Sequence, residues 1–104
     1  MSGNVELMEA VTQKLKAFLQ FVAVGMIEHP SKATLKVAEL GPNKLRFKLV
    51  LAGSDVAMLI GRNGFTASAI RGVMKAAGEK EGVQVSLLIH SHEEEAQMVA
   101  KDGE

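Results

Sequence analysis

The chain has 104 residues, twelve basic and twelve acidic side chains, and no Cys, Trp or Tyr. That length suits one domain whose core must be aliphatic, and the missing cysteines exclude disulfide staples, thiolate catalysis and Cys-based zinc sites. The zero net charge hides an asymmetry: residues 30–78 carry eight cationic side chains against Glu39 and Asp55, a net +6, while residues 79–104 carry Lys80 and Lys101 against seven acids, a net −5. A basic middle with an acidic end points to a polyanionic partner.

The chain opens MSGNVELMEA, without the basic stretch and apolar run of a signal peptide. Its longest apolar stretch, Phe21–Ile27, is too short to span a bilayer. A cytoplasmic protein is the simplest expectation. Val5, Met8, Val11, Leu15, Phe18, Leu19, Val22 and Met26 recur at steps of three and four, which predicts a long amphipathic first helix. His29-Pro30 ends it, because the residue before a proline is pushed out of the helical region. Phe18, Phe21, Val24 and Ile27 give this helix apolar character on more than one side, so self-association is expected.

Two alternating runs follow. Leu35 and Val37 lie opposite Lys36 and Ala38; Leu45, Phe47, Leu49 and Leu51 alternate with Lys44, Arg46, Lys48 and Val50. Period two predicts half-buried strands, and Gly41-Pro42-Asn43 between them predicts a hairpin. Arg46 and Lys48 then point away from the core, onto a solvated sheet face. Ser54 is the expected N-cap of a short helix, with Asp55 at its positive end and Val56, Leu59 and Ile60 on its inner face.

After Gly61-Arg62-Asn63-Gly64 a further helix is expected from about Phe65 to Glu79, with Thr66, Ile70, Val73, Met74 and Ala77 inward and Gly78 and Gly82 marking its exit. Val83, Val85, Leu87 and Ile89 alternate as a third strand, parallel to the second because two helices separate them. From Ser91 the acidic chain is expected to be a frayed helix or a disordered tail. It reads as a solubilising end; the alternative is that it folds back and competes for the basic middle of the chain. His90 and His92 before Glu93, Glu94 and Glu95 form a compositional tract without a further metal ligand, and no metal site is assigned.

The bracketed pair Arg62-Asn63 is the informative stretch. A helix start offers unpaired N–H groups and partial positive charge, glycines admit close approach of a phosphate backbone, Arg62 adds charge and Asn63 adds donors. The bland reading is a tight turn, and four residues alone favour it. Arg71 and Lys75, one turn apart on the following helix, are candidate phosphate contacts or merely solvated. Phe65 is a packed staple, a base-stacking ring or a partner contact. No P-loop Lys-Ser/Thr pair, Ser-His-Asp set or paired carboxylates mark an enzyme, and no cofactor is implied.

Leu59-Ile60-Gly61-Arg62-Asn63-Gly64, then Thr66-Ala67 and Ala69-Ile70-Arg71, in the order α-β-β-α-α-β, resembles a type II KH domain, most closely the small single-KH proteins of the KhpA family, over residues 5–90. The resemblance implies an α+β fold with a three-stranded mixed sheet and helices on one face, residues 1–90 forming the domain and 91–104 an acidic tail. It implies a GxxG clamp on about four nucleotides of single-stranded RNA, with Gly61, Arg62, Asn63, Gly64, Phe65, Arg71 and Lys75 as site residues and no enzymatic activity. RNA-chaperone or post-transcriptional regulation, a homodimer or a heterodimer with a Jag-type (KhpB) protein, and a link to cell shape follow by analogy. Phe65 and Ser68 stand where that family often has basic residues, which implies weaker RNA affinity. The rival reading is a protein-interaction or dimerisation module with a weak or vestigial nucleic-acid site.

Overall fold

In a computed structural model, which describes residues 2–61 and 65–102, the order is α1 (Ser2–Met26), a 3-10 turn (Pro30–Lys32), β1 (Thr34–Gly41), β2 (Lys44–Leu51), α2 (Gly53–Gly61), α3 (Phe65–Lys80), β3 (Gln84–Ser91) and α4 (His92–Asp102). The expected α-β-β-α-α-β order is present, and α4 is added to it. The sheet runs β1-β2-β3, with β1 antiparallel and β3 parallel to the central β2. The hairpin register pairs Leu35 with Leu49 and Val37 with Phe47, so the apolar side chains of the two strands share a face. Leu87 and Ile89 of β3 continue the same rows beside Phe47 and Leu49.

That face carries the core. Met8, Val11, Leu15 and Leu19 of α1, Leu59 of α2, and Ala67, Ile70 and Met74 of α3 pack with Leu45, Phe47, Leu49, Leu87 and Ile89 in one cluster around the fully buried Phe47. The first three helices thus cover one side of the sheet. Two inner-face assignments differ from expectation. Ile60 and Val73 are exposed, at 39% and 52%, because Leu59 and Met74 already fill the positions that face the sheet.

Two glycines at the end of α3 do different work. Gly82 adopts φ +75, the left-handed conformation that favours glycine, and its N–H bonds the Glu79 carbonyl while the Val83 N–H reaches back to Gly78. This is a Schellman cap, which satisfies the last helical carbonyls. Gly78 is not an exit signal: it lies within the helix, buried against β3. A Cβ there would stand 2.4 Å from a Val85 methyl and 2.7 Å from the Val83 carbonyl oxygen, so only glycine lets helix and strand approach this closely.

The segment expected to fray or lie disordered forms α4. Ser91 and Glu94 make a reciprocal cap, the Glu94 N–H donating to Ser91 Oγ at 3.1 Å and the Ser91 N–H donating to the Glu94 carboxylate at 2.9 Å. This S-x-x-E box supplies a helix start that composition obscured. The Ser91 N–H is the main cause that holds the Glu94 carboxyl below the usual glutamate range. The opposite, polar face of the sheet receives α4. Val50, on that face, is 2% exposed and stands outside the main cluster.

Candidate nucleic-acid interface

α2 begins with the Ala52 carbonyl accepting the Asp55 and Val56 N–H groups, so Ala52 rather than Ser54 flanks the helix start. Asp55 then turns its carboxylate away from its own helix. Oδ1 accepts the Glu28 N–H at 2.9 Å and Oδ2 the His29 N–H at 3.0 Å, and the residue is 1% exposed. A side chain read from the sequence as a partner of the helix dipole is therefore a long-range anchor that fixes α2 to the chain leaving α1. Leu59 packs the same helix into the core four residues later.

α2 ends at Gly61 and α3 begins at Phe65. Arg62, Asn63, Gly64 and the Phe65 side chain lie outside the described residues. Gly61 is exposed; a Cβ added to it would meet no atom of the described residues within 4 Å, and its φ is not positive. Among the described residues neither packing nor backbone conformation requires glycine there, and in a helix glycine costs up to ~1 kcal/mol relative to alanine. Gly72, on exposed α3, is open in the same way. Ser68, Ala69 and Ala76 are exposed on α3 as well, so its outer surface is built largely of small side chains.

The two cations expected beside the loop separate. Arg71 donates from Nε to the Leu87 carbonyl at 3.1 Å, which ties α3 to the edge strand β3. It sits about 9 Å along the helix from Phe65, at 1.5 Å per residue. Lys75 is a further turn away, about 15 Å from Phe65, and lines a depression of about 470 Å³ with Lys44, Arg46 and Glu79. The structure groups Lys75 with the start of β2, while Arg71 is held against β3.

A second charged group was not legible as such. Glu95 of α4 is 8% exposed and lies over the polar sheet face. Its Oε2 accepts from both Lys36 Nζ at 3.0 Å and Lys48 Nζ at 3.3 Å, while Oε1 stands 3.1 Å from Lys48 Nζ and 3.8 Å from His90 Nδ1 without a hydrogen bond of its own. Lys48 is therefore ion-paired and only 24% exposed, not simply solvated as the strand alternation suggested; Arg46 on the same face is exposed. His92 joins this end of the molecule to the 3-10 turn, its Nε2 lying 2.6 Å from the Lys32 carbonyl oxygen.

Lys36 first and Lys48 second hold the Glu95 carboxyl below the usual glutamate range. A carboxylate with a depressed folded-state pKa stabilises the docked form at pH values above its unfolded pKa, and that contribution is lost as pH falls through the folded pKa. α4 is therefore expected to stay docked at neutral pH and to loosen as the pH falls below the ordinary glutamate range. The Val50 methyl resonances report it: they should shift over that acid window, and resonances unchanged across it would show that charge does not hold the helix.

A mixed three-stranded sheet in the order α-β-β-α-α-β, with two helices meeting at a GxxG sequence, defines a KH domain of type II. The sequence profile of the KhpA/KhpB KH domain matches residues 16–89. The chain belongs to this family of KH domains, and α4 lies beyond the matched stretch. Among similar proteins, the RNA-binding protein KhpA of Chlamydia muridarum is 31% identical over 75 residues, covering 72% of this chain and 95% of the relative. RNA-binding protein KhpA of Clostridium acetobutylicum is 33% identical over 72 residues, covering 68% and 93%. No solved structure gives a significant match. Among the described residues no helix is long and apolar enough to cross a membrane.

Proposed function

We propose that this chain binds single-stranded RNA and grips its sugar-phosphate backbone at Gly61-Arg62-Asn63-Gly64. The observation that carries the reading is Gly61: a helix-ending glycine that neither its φ nor any contact among the described residues explains, at the junction between α2 and the start of α3. Close approach of a ligand backbone accounts for it. Arg62 supplies charge, Asn63 supplies donors, and Gly64 keeps the second side of the loop bare. Phe65 opens α3 where a base would stack, Arg71 continues the track, and Lys75 extends it toward the far end of the helix. The relatives named RNA-binding protein KhpA support the same reading. The role is that of an RNA chaperone or post-transcriptional regulator in the cytoplasm without catalysis, and the cell-shape link belongs to the family analogy.

Salt separates this function from an apolar interaction module. Anisotropy titrations with a labelled single-stranded RNA should show log K falling linearly with log salt, with a slope of about −2 if Arg62, Arg71 and Lys75 each neutralise one phosphate at ~0.7 per contact. Binding that is flat across about 50–200 mM salt would mean that phosphate is not what the site holds.

A second property is favoured by a specific observation. Phe21 on α1 is 84% exposed and Met26 46% exposed. A surface of this kind serves association with a second copy or with a Jag-type (KhpB) KH protein. Sedimentation at tens of micromolar, an order set against ordinary interface affinities, should show a dimer that Phe21→Glu dissociates; a monomer at that concentration would leave no role for the surface in self-association.

A further inference from the structure

The polar face of the sheet is itself a cation field. Its rows, read from the register, are Thr34, Val50 and His90; Lys36, Lys48 and Leu88; Ala38, Arg46 and Ser86; and Lys44 with Gln84. Among the described residues the strands place four cations there, together with His90, and no acid; Glu39 falls on the other face, opposite Leu45. The carboxylate that meets this field comes from α4. Glu95 sets one oxygen, Oε2, on both Lys36 and Lys48 and leaves Oε1 beside Lys48 and His90 without a hydrogen bond, so the site holds a single anionic group between two lysines with polar capacity to spare, as a phosphodiester would require.

We propose that Glu95 occupies a second RNA-phosphate site, built from Lys36, Lys48 and His90, and that α4 is a latch which a longer RNA displaces. The proposal rests on the RNA-binding reading above but concerns a different face of the molecule. Three features carry it. The site already holds an anion in a geometry that engages both lysines. Arg46, two residues from Lys48 on the same face and therefore about 7 Å away, is exposed and available to the next phosphate. Finally, the latch holds mainly by charge. Glu95 is buried, whereas Met98 and Val99 further along α4 are 39% and 57% exposed, so neither is fully packed onto the sheet. A contact of this kind exchanges readily for another anion and weakens as salt screens it.

RNA length and charge test it together. Wild-type protein, Glu95→Gln, and Glu95→Gln combined with Lys36→Gln and Lys48→Gln are titrated with single-stranded RNAs of about four nucleotides, the length of one KH clamp, and about four times that length. For the longer RNA at low salt, Glu95→Gln should bind at least about fivefold more tightly, the lower end of ordinary coupling between sites. Its salt slope should steepen by about 1.4, for two further phosphates at ~0.7 each. The triple variant should lose both gains, and the short RNA should show neither.

Equal affinity and slope for wild type and Glu95→Gln, with RNA bound by both, overturns the latch and leaves the loop reading standing. RNA binding by Glu95→Gln alone supports the latch and counts against the loop. No binding by either overturns both. Val50 provides a check on unmodified protein: saturation with the longer RNA should shift its methyl resonances as α4 lifts, and methyls that stay in place overturn displacement even if the substituted proteins fail to fold.

Discussion

Asp55→Ala is expected to destabilise the fold by about 3–6 kcal/mol, since each of two hydrogen bonds to a charged acceptor contributes ~1.5–3 kcal/mol. The carboxylate is 1% exposed and accepts the Glu28 and His29 N–H groups, one on each oxygen. Alanine would strand both donors at the corner where the chain leaves α1 and turns toward β1. Domains of this size carry about 5–15 kcal/mol in total, so the loss is a large part of what holds the molecule. Urea unfolding should show the midpoint falling with the slope unchanged. Asp55→Asn should lie between the two, because its amide oxygen accepts one N–H while its NH₂ group faces the other. A midpoint within about 0.5 kcal/mol of wild type, the range of ordinary surface substitutions, would mean that the corner is held by packing instead.

The second large effect is on binding. Replacing Arg62 and Asn63 together by aspartate should weaken single-stranded RNA binding by more than about a hundredfold, or ~3 kcal/mol at 1.4 kcal/mol per decade. One favourable charge disappears and two repulsive ones arrive beside phosphates, each worth ~1 kcal/mol or more at contact distance in a water-exposed site. Both are polar residues between the end of α2 and the start of α3, so the urea midpoint should stay where it is. A folded double variant with undiminished RNA affinity would remove the loop from the binding site. The neutral pair Arg62→Gln and Asn63→Ala should lose less, and the difference between the two pairs measures the repulsion.

Much of the architecture was legible because it depends on apolar periodicity. The Met8-Val11-Leu15-Leu19 stripe and the alternation through Leu45, Phe47 and Leu49 each repeat at the period of their element, and these side chains are buried. The loop itself stays an expectation of the sequence: Arg62, Asn63 and Gly64 lie outside the described residues, and what is seen is the end of α2 at Gly61 and the start of α3 at Phe65 that frame it. What escaped depends on partners distant in sequence. Asp55 carries the same local signature whether it serves its own helix or a backbone 27 residues away. α4 buries a glutamate on two lysines from different strands, so a scan for apolar faces reads the segment as solvated, although the Ser91-x-x-Glu94 box announces the helix start. Gly78 likewise becomes explicable only when Val83 and Val85 fold back against it.

The 3-10 turn Pro30–Lys32 stands at a junction that the linear order of elements conceals. Asp55 grips the backbone just before it, and His92 reaches the Lys32 carbonyl at its end. The start of α2, which leads to the loop, and the start of α4 thus abut one short piece of chain. α4 also follows β3 without a connector, Ser91 ending the strand and His92 opening the helix. Such a helix is a hinged flap rather than a tethered ball: it can swing about one peptide but cannot wander. The opening proposed for it would therefore be an intramolecular event, indifferent to protein concentration, and would pull on the abutment shared with α2.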